Sequence, residues 1–139
     1  MTKVVATGTF DILHPGHVLY LSEARKLGDE LYVIVARDST IKHKRKPLVP
    51  EDQRLFMVRM LKCVDCAMLG SEEDMFIPIR KIDPDIIALG FDQHWDEEKL
   101  QAQLTEKGLK ARVMRIKKCD PSPYASSSKI RQMIKDADC

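Results

Sequence analysis

The chain has 139 residues, enough for one domain with a substantial hydrophobic core. Hydrophobic residues make up 44% and charged residues 32%, a composition that argues against an intrinsically disordered chain. No apolar run approaches the roughly 18 residues that a membrane-spanning helix requires, and the first residues lack the apolar stretch of a secretory signal. We therefore expect a single cytoplasmic domain over residues 1–139 that contacts no membrane.

The net charge of +2 is too small to indicate a general nucleic-acid-binding protein. The cations are unevenly distributed, however. Residues 42–46 carry four of them, and a second group near the C-terminus is formed by Lys110, Arg112, Arg115, Lys117 and Lys118. A phosphate-rich ligand requires such concentrated positive charge, although a basic run is more commonly a solvated loop.

Apolar spacing predicts five short strands that alternate with five helices. We expect the strands at residues 4–6, 31–36, 66–69, 86–90 and 112–116, where runs of apolar residues occur. The helices are expected at residues 17–27, 51–61, 75–82, 97–108 and 126–136. This alternation predicts a Rossmann-like α/β domain, in which a five-stranded, mainly parallel sheet lies between two layers of helices.

In a sheet of this kind, ligands bind at the carboxyl ends of the strands. Four loops should therefore surround the functional site, at residues 8–17, 37–50, 90–95 and 117–129. The first of them reads GTFDILHPGH and runs from a strand into a helix. Its Gly16 allows another group to approach the backbone closely, and free N–H groups at the helix start favour an anion.

His14 and His17 are three residues apart at that helix start, so both can face one ligand. Two alternatives remain open from the residues alone. The two side chains could be unrelated surface histidines, or they could bind a metal ion, although no third ligand has an obvious spacing.

The combination of GTFD with HPGH between a strand and a helix resembles the HxGH signature of the nucleotidyltransferase superfamily. Within it, the chain resembles the small cytidylyltransferase-like branch, which includes glycerol-3-phosphate cytidylyltransferases and archaeal FAD synthases. Further matching segments extend the resemblance over nearly the whole chain. It implies nucleotidyl transfer, in which an acceptor phosphate attacks the α-phosphorus of a nucleoside triphosphate in line and pyrophosphate leaves without a covalent intermediate.

The resemblance also implies roles for particular residues. His14 and His17 would contact the triphosphate and stabilise charge on the transferring phosphoryl group. Lys44 and Lys46 match lysines that reach the phosphates in the family. Arg54 matches a basic position of the family, or it is an ordinary exposed helix residue.

The segment after the fourth predicted strand reads GFDQHW and matches a family segment whose aspartate lies at the nucleotide site. Asp92 is therefore a candidate for contact with the ribose or the base, or it is a turn-forming residue. Phe91 or Trp95 could stack on a flat aromatic acceptor.

The C-terminal segment ASSSKI resembles the latter half of the family's second signature, RTEGISTTKI. Its serines would cap the last helix and direct hydroxyl and N–H groups at the β- and γ-phosphates, or they form a plain helix cap. The first half departs from the pattern, with Pro121 in place of arginine and Tyr124 in place of glycine. Arg115, Lys117 or Arg131 could supply the missing cation.

Two groups of site residues follow from the resemblance. The catalytic group is His14, His17, Lys44, Lys46 and Ser127. The nucleotide-binding group contains both histidines together with Thr9, Phe10, Pro15, Gly16, Asp92, Tyr124, Ser126, Ser127 and Ser128.

The four cysteines support a competing interpretation as a zinc or redox protein. Cys63 and Cys66 form a C-x-x-C pair, but a zinc site would need Cys119, Cys139 or a histidine to complete it. Without an export signal, reduced thiols are the simpler expectation.

Residues 34–38, 46–54, 84–93 and 119–121 resemble the archaeal FAD synthases more than the bacterial glycerol-phosphate enzymes. This resemblance implies ATP and FMN as substrates, FAD and pyrophosphate as products, and Mg²⁺ or another divalent cation held mainly by the substrate phosphates. A homodimer is expected from the family. The alternatives are a CTP-dependent cytidylyltransferase acting on glycerol 3-phosphate and a non-enzymatic module that binds a nucleotide or a flavin.

Overall fold

The computed structural model describes residues 1–41, 46–122 and 124–137. The strands are β1 (Lys3–Gly8), β2 (Glu30–Val35), β3 (Cys66–Leu69), β4 (Ile86–Leu89) and β5 (Arg112–Arg115). The helices are α1 (Pro15–Arg25), α2 (Glu51–Arg59), α3 (Phe76–Ile82), α4 (Glu97–Glu106) and α5 (Ser127–Asp136). The predicted alternation is confirmed, and no boundary moves by more than two residues. None of the described helices is both long and apolar enough to cross a membrane.

The sheet has the strand order β3-β2-β1-β4-β5. The expectation of a mainly parallel sheet is confirmed, since every pair of neighbouring strands is parallel. From β1 the chain builds outward through β2 and β3, and it then crosses back to add β4 and β5 on the other side. The carboxyl ends of β1 and β4 thus flank the point where the strand order reverses, which is where α/β sheets bind ligands.

Two hydrophobic clusters show that helices cover both faces of the sheet. Val4 of β1 packs in one cluster with side chains of α1 and α2, whereas Val5 packs in the other with side chains of α3 and α4. Successive residues of a strand point to opposite faces of the sheet. Because both faces are covered by helices, the central strands need apolar residues at consecutive positions. Helix α5 contributes no buried side chain, and polar contacts near the loops hold it in place.

The pairing of β1 with β4 ends at Ala6 and Ala88, although β1 remains paired with β2 up to Gly8. The hydroxyl of Tyr20, on α1, lies at the end of the β1–β4 ladder. It accepts from the Thr7 N–H at 3.2 Å and donates to the Ala88 carbonyl at 2.7 Å. Burial raises the pKa of this hydroxyl. A side chain thus replaces the next ladder bond, and the two strands part where the crevice begins.

Arg54 is fully buried, with 1% of its surface exposed, so it is not an ordinary exposed helix residue. Its guanidinium donates to the carbonyls of Thr9, Ala36 and Val49 at 2.7–2.8 Å and to the Asp38 carboxylate at 2.5 Å. These acceptors belong to the loops after β1 and β2. Because its donors are engaged in this way, Arg54 holds those loops together and is not aimed at a phosphate group.

Replacing Arg54 with methionine should lower the free energy of unfolding by about 3–5 kcal/mol, because buried polar groups lose their partner. Urea denaturation measures this change. Arg59→Met, on the same helix, is the matched control. Its side chain is exposed and makes one long contact, at 3.4 Å to the Ala67 carbonyl, so the loss should stay below about 1 kcal/mol. Equal small losses in both variants would contradict the role given to Arg54.

Candidate functional site

The two histidines of the first loop lie side by side at the start of α1. His14 is the N-cap residue, Pro15 occupies the first helical position, and the His17 N–H donates to the His14 carbonyl at 3.0 Å. The two imidazole rings are stacked, with centroids 3.7 Å apart and planes inclined by 21°. One turn of helix therefore presents both rings to the same space beyond β1.

The His14 imidazole is only partly exposed. Its Nδ1 atom is buried and has no hydrogen-bond partner among the residues that the structure describes. Burial lowers the pKa of His14 from its usual value, and the nearby carboxylates of Asp92 and Asp120 oppose this shift. The ring is therefore predominantly neutral at neutral pH, and an anion placed beside it would favour its protonation.

Phe10 lies under the loop and not on its surface. Its backbone adopts a left-handed conformation, with φ of 55°, and its side chain is only 3% exposed. The ring occupies the space over Gly8, where a Cβ atom would come within 2.8 Å of it, and its centroid is 5.2 Å from that of His17. Of the predicted nucleotide-binding residues, Phe10 thus belongs by its side chain to the core, where it supports His17.

The N-terminal loop and the C-terminal serine segment meet at this site. A Cβ atom on Gly16 would lie 3.0 Å from the carbonyl oxygen of Ala125, so glycine is needed for the two backbones to approach. The Ser127 hydroxyl donates to the Ile12 carbonyl at 3.4 Å. Ser126 is the N-cap of α5 and accepts from the Lys129 N–H at 3.4 Å.

Two helices consequently begin at the same place. The first turns of α1 and α5 each have backbone N–H groups without a partner inside the helix, and each carries the positive end of a helix dipole. Two such ends beside two imidazoles are an arrangement suited to an anion that carries several charges. No acidic residue lies in the first turn of either helix.

Asp11 of the GTFD motif is not among the predicted site residues, but it lies at the site. Its carboxylate is 8% exposed, accepts the Val49 N–H at 2.9 Å and forms an ion pair with Arg131 of α5. Arg131 also donates to the Lys46 carbonyl at 3.3 Å. The pair joins the loops after β1 and β2 to α5, and Arg131, one of the three candidates for the missing cation, is already paired with a carboxylate.

The other predicted site residues differ in their surroundings. Lys46, Pro15, Asp92, Tyr124 and Ser128 are exposed. Thr9 contributes its backbone carbonyl to Arg54. Lys44 lies outside the described residues, so the structure neither places it at the site nor excludes it.

The second basic group does not form one phosphate-binding surface, which corrects that expectation. Lys110 pairs with Asp83 and Asp85 at 3.7 and 3.5 Å. Arg112 is the first residue of β5, so it lies at the amino end of the strand, opposite the carboxyl end that borders the site. At the carboxyl end, the ammonium group of Lys118 is 3.0 Å from the Glu23 carboxylate. The sequence pattern could not predict which of these cations face the site, because residues close in sequence lie at opposite ends of β5.

The described cysteines form no disulfide bond with one another. Cys63, Cys66 and Cys119 carry free thiols, and Cys139 lies outside the described residues. Across residues 1–41, 46–122 and 124–137, no group of three or more histidine, cysteine or acidic side chains could hold a metal ion.

Known proteins resemble this chain along its full length. Residues 5–133 match the protein family described as cytidylyltransferase-like. A protein of Methanocella paludicola named FAD synthase is 81% identical over 139 residues, which is 100% of both chains. A protein of Archaeoglobus profundus with the same name is 57% identical over 136 residues, covering 98% of this chain and 88% of the relative.

Solved structures agree with these similarities. A Thermoplasma volcanium structure, described as a lipopolysaccharide core biosynthesis protein, is 49% identical and superposes with a TM-score of 0.83, covering 86% of this chain and 99% of that chain. The pantothenate synthetase of Thermus thermophilus is 12% identical with a TM-score of 0.57, covering 83% and 55%, and shares the fold alone. With its family match, its relatives and the HxGH histidines at a convergent anion site, the chain belongs to the cytidylyltransferase-like family of nucleotidyltransferases.

Proposed function

We propose that the protein is an FAD synthase, which transfers the adenylyl group of ATP to the phosphate of FMN. The observation that carries this proposal is the similarity of 57–81% identity, over nearly the full chain, to proteins named FAD synthase. The anion site formed by α1, α5 and the histidine pair suits this reaction, because both substrates bring phosphate groups to the reacting atoms.

The reaction requires one bond to form and one to break. An oxygen of the FMN phosphate attacks the α-phosphorus of ATP, and the bond from that phosphorus to the bridging oxygen of the β-phosphate breaks. Pyrophosphate leaves with the electron pair, and FAD is the product. Since no covalent intermediate is needed, the protein acts by positioning two anions and by stabilising the charge that develops between them.

We propose roles for individual residues, and the family resemblance and the convergence of α1 and α5 support them. His14 and His17 bind the phosphates next to the reacting α-phosphorus. The helix starts at Gly16 and Ser127 direct N–H groups at the polyphosphate, and Lys46, with Lys44, stabilises the leaving pyrophosphate. We assign Asp92 to the nucleoside, with Thr9, Pro15, Tyr124, Ser126 and Ser128 around the nucleotide.

A divalent cation, Mg²⁺ or a similar ion, completes the proposal. The described residues offer no cluster of three protein ligands, so the cation would be held chiefly by phosphate oxygens of ATP, a common arrangement for Mg²⁺. When bound, the cation neutralises charge on the triphosphate. The His14 imidazole and the helix N-termini would supply hydrogen bonds to the remaining oxygens.

We further propose that residues 1–139 form a single nucleotidyltransferase domain that works in the cytoplasm, where ATP and FMN are available. We also propose a homodimer. Exposed apolar side chains in the C-terminal half of α2 and just after it support this assembly, since Phe56 and Met60 are 60% and 69% exposed and a second copy would cover them.

The other functions considered are not favoured. The Methanocella paludicola and Archaeoglobus profundus relatives bear the name FAD synthase, not the name of an enzyme for glycerol phosphate. The departures at Pro121 and Tyr124 point the same way, because both alter the signature of the cytidylyltransferases. A zinc or redox role would not explain why α1 and α5 begin next to the two histidines.

Product analysis tests the proposal directly. The reduced protein is incubated with ATP or CTP and with FMN or glycerol 3-phosphate, with and without Mg²⁺, and the products are separated by chromatography. We expect FAD from ATP and FMN in the presence of the cation. The His14→Ala, His17→Ala double variant, purified identically, controls for a contaminating host enzyme. CDP-glycerol as the main product, or no product from any pair, would contradict the proposal.

Replacing His17 with alanine should lower turnover at least about tenfold, because a donor to the transferring phosphoryl group is lost. Ser127→Ala should have a milder effect, since neighbouring hydroxyl and N–H groups remain. Steady-state kinetics measure both variants, and circular dichroism verifies their folding. A folded His17→Ala variant with nearly normal turnover would disprove the role of this residue.

The lowered pKa of His14 predicts that ATP binding takes up a proton. Burial lowers the pKa of the imidazole in the ligand-free protein, and a bound polyphosphate would raise that pKa again. At about pH 6, calorimetric titrations in two buffers with different ionisation enthalpies should show more proton uptake by the wild type than by His14→Asn. Comparing the two proteins cancels the protons that ATP itself exchanges. Equal uptake would show that His14 does not contact the phosphates.

A further inference from the structure

The loop between β4 and α4, residues 90–96, borders the site. Hydrophobic packing contributes little to its conformation. Phe91, Asp92 and His94 are exposed, and only Trp95 among its large side chains packs partly against the core. A loop with so little apolar burial must be held by polar contacts if it is to keep one conformation.

Those contacts come largely from Arg115, the last residue of β5. Its Nη1 atom donates to the carbonyls of Gly90 and Gln93, both at 2.8 Å, and its Nη2 atom donates to the Trp95 carbonyl at 2.6 Å. Its Nε atom is 2.6 Å from the carboxylate of Glu97, at the start of α4. One guanidinium therefore fixes both ends and the middle of the loop.

The amide of Gln93 ties the same loop to the centre of the sheet. Its oxygen accepts the Gly90 N–H at 2.7 Å, and its nitrogen donates to the Thr7 carbonyl at 2.8 Å, where β1 has already parted from β4. Arg115 holds Gln93 by its backbone, while the Gln93 side chain reaches the strand that leads to His14. The loop and the histidine loop are thus linked through a short series of hydrogen bonds.

These contacts do not leave Arg115 available as a phosphate ligand. Four donor contacts are already made, and its side chain is 20% exposed. The sequence pattern had placed it among the replacements for the arginine missing at Pro121. Its geometry instead matches three carbonyls and one carboxylate, an arrangement that suits the planar fork of donors in arginine and that a lysine cannot reproduce.

We propose that Arg115 is a positioning residue for nucleotide binding, because its guanidinium folds residues 90–96 into the conformation that holds Asp92 at the site. The inference rests on the proposed function, in which Asp92 contacts the nucleoside of ATP. The influence of the Asp92 carboxylate on His14 agrees with this placement. Arg115 itself touches no reacting atom, and its effect is transmitted through the loop backbone.

The test is a double-mutant cycle on ATP affinity. Arg115→Lys keeps the charge but loses the fork, and Asp92→Asn keeps the shape but loses the carboxylate. We expect each single change to weaken ATP binding, Arg115→Lys by about tenfold, and we expect Arg115→Lys to cost less than about threefold in the Asp92→Asn background. Isothermal titration with ATP alone measures all four proteins.

Arg112→Lys is the matched control. Arg112 lies at the amino end of the same strand, away from the site, so this change should leave ATP affinity unchanged. Trp95 supplies a second measurement, since it is the only tryptophan of the chain and its carbonyl accepts from Arg115. The emission of the ligand-free protein should shift in Arg115→Lys and remain unchanged in Arg112→Lys.

Three outcomes would overturn the proposal. Unchanged ATP affinity in Arg115→Lys would remove the role altogether. An equal loss in both backgrounds would show that Arg115 acts only on general stability, and an unaffected Asp92→Asn protein would show that the loop does not reach the nucleotide. If the wild type binds another nucleoside triphosphate in place of ATP, the FAD synthase proposal fails, and the cycle measured with that nucleotide still decides the role of Arg115.

Discussion

The site depends on how the polar backbone groups exposed at the parting of β1 and β4 are satisfied. Parallel strands that separate leave carbonyl and N–H groups without ladder partners, and such groups are costly if buried alone. Here side chains take the place of the missing strand bonds. The Tyr20 hydroxyl and the Gln93 amide both bond to Thr7, while Arg54 and Arg115 supply donors to the carbonyls of the adjoining loops. The crevice can stay open because its walls are bonded to these side chains.

That arrangement leaves the helix starts for the ligand. The loops that lead to α1 and α5 are fixed by Arg54, by the Asp11–Arg131 pair and by the contact of Gly16 with Ala125, so their N–H groups face a common space without having to reorganise. Preorganised donors of this kind stabilise developing charge well, because no free energy is spent on orienting them during the reaction. The neutral His14 ring adds a group that gains a proton most easily when an anion is present.

Three arginines near the site illustrate a general difficulty in assigning phosphate ligands. Arg54, Arg115 and Arg131 each lie close to loops of the site, and their charge and position in sequence would suit a phosphate. Arg54 and Arg115 instead donate to several carbonyls and a carboxylate of the protein. Arg131 pairs with the Asp11 carboxylate through its Nη2 atom, while its buried Nε atom has no hydrogen-bond partner among the described residues. A guanidinium has five donors in a rigid fork, which suits it equally to binding a phosphate and to joining loops. Which use applies depends on the acceptors around it.

The layered α/β architecture and the chemistry of the first loop could be predicted from the amino-acid sequence. A continuous apolar run such as residues 31–36 is typical of a strand that is buried on both faces. The HPGH segment after a strand places two imidazoles on one helical turn. The partners of Asp11 and Arg115 were not predictable in this way. Asp11 pairs with a residue 120 positions away, and the acceptors of Arg115 lie on a loop that precedes it. Local periodicity reports burial and spacing along one element, whereas such long-range polar contacts exist only once the sheet has brought the carboxyl ends of separate strands together.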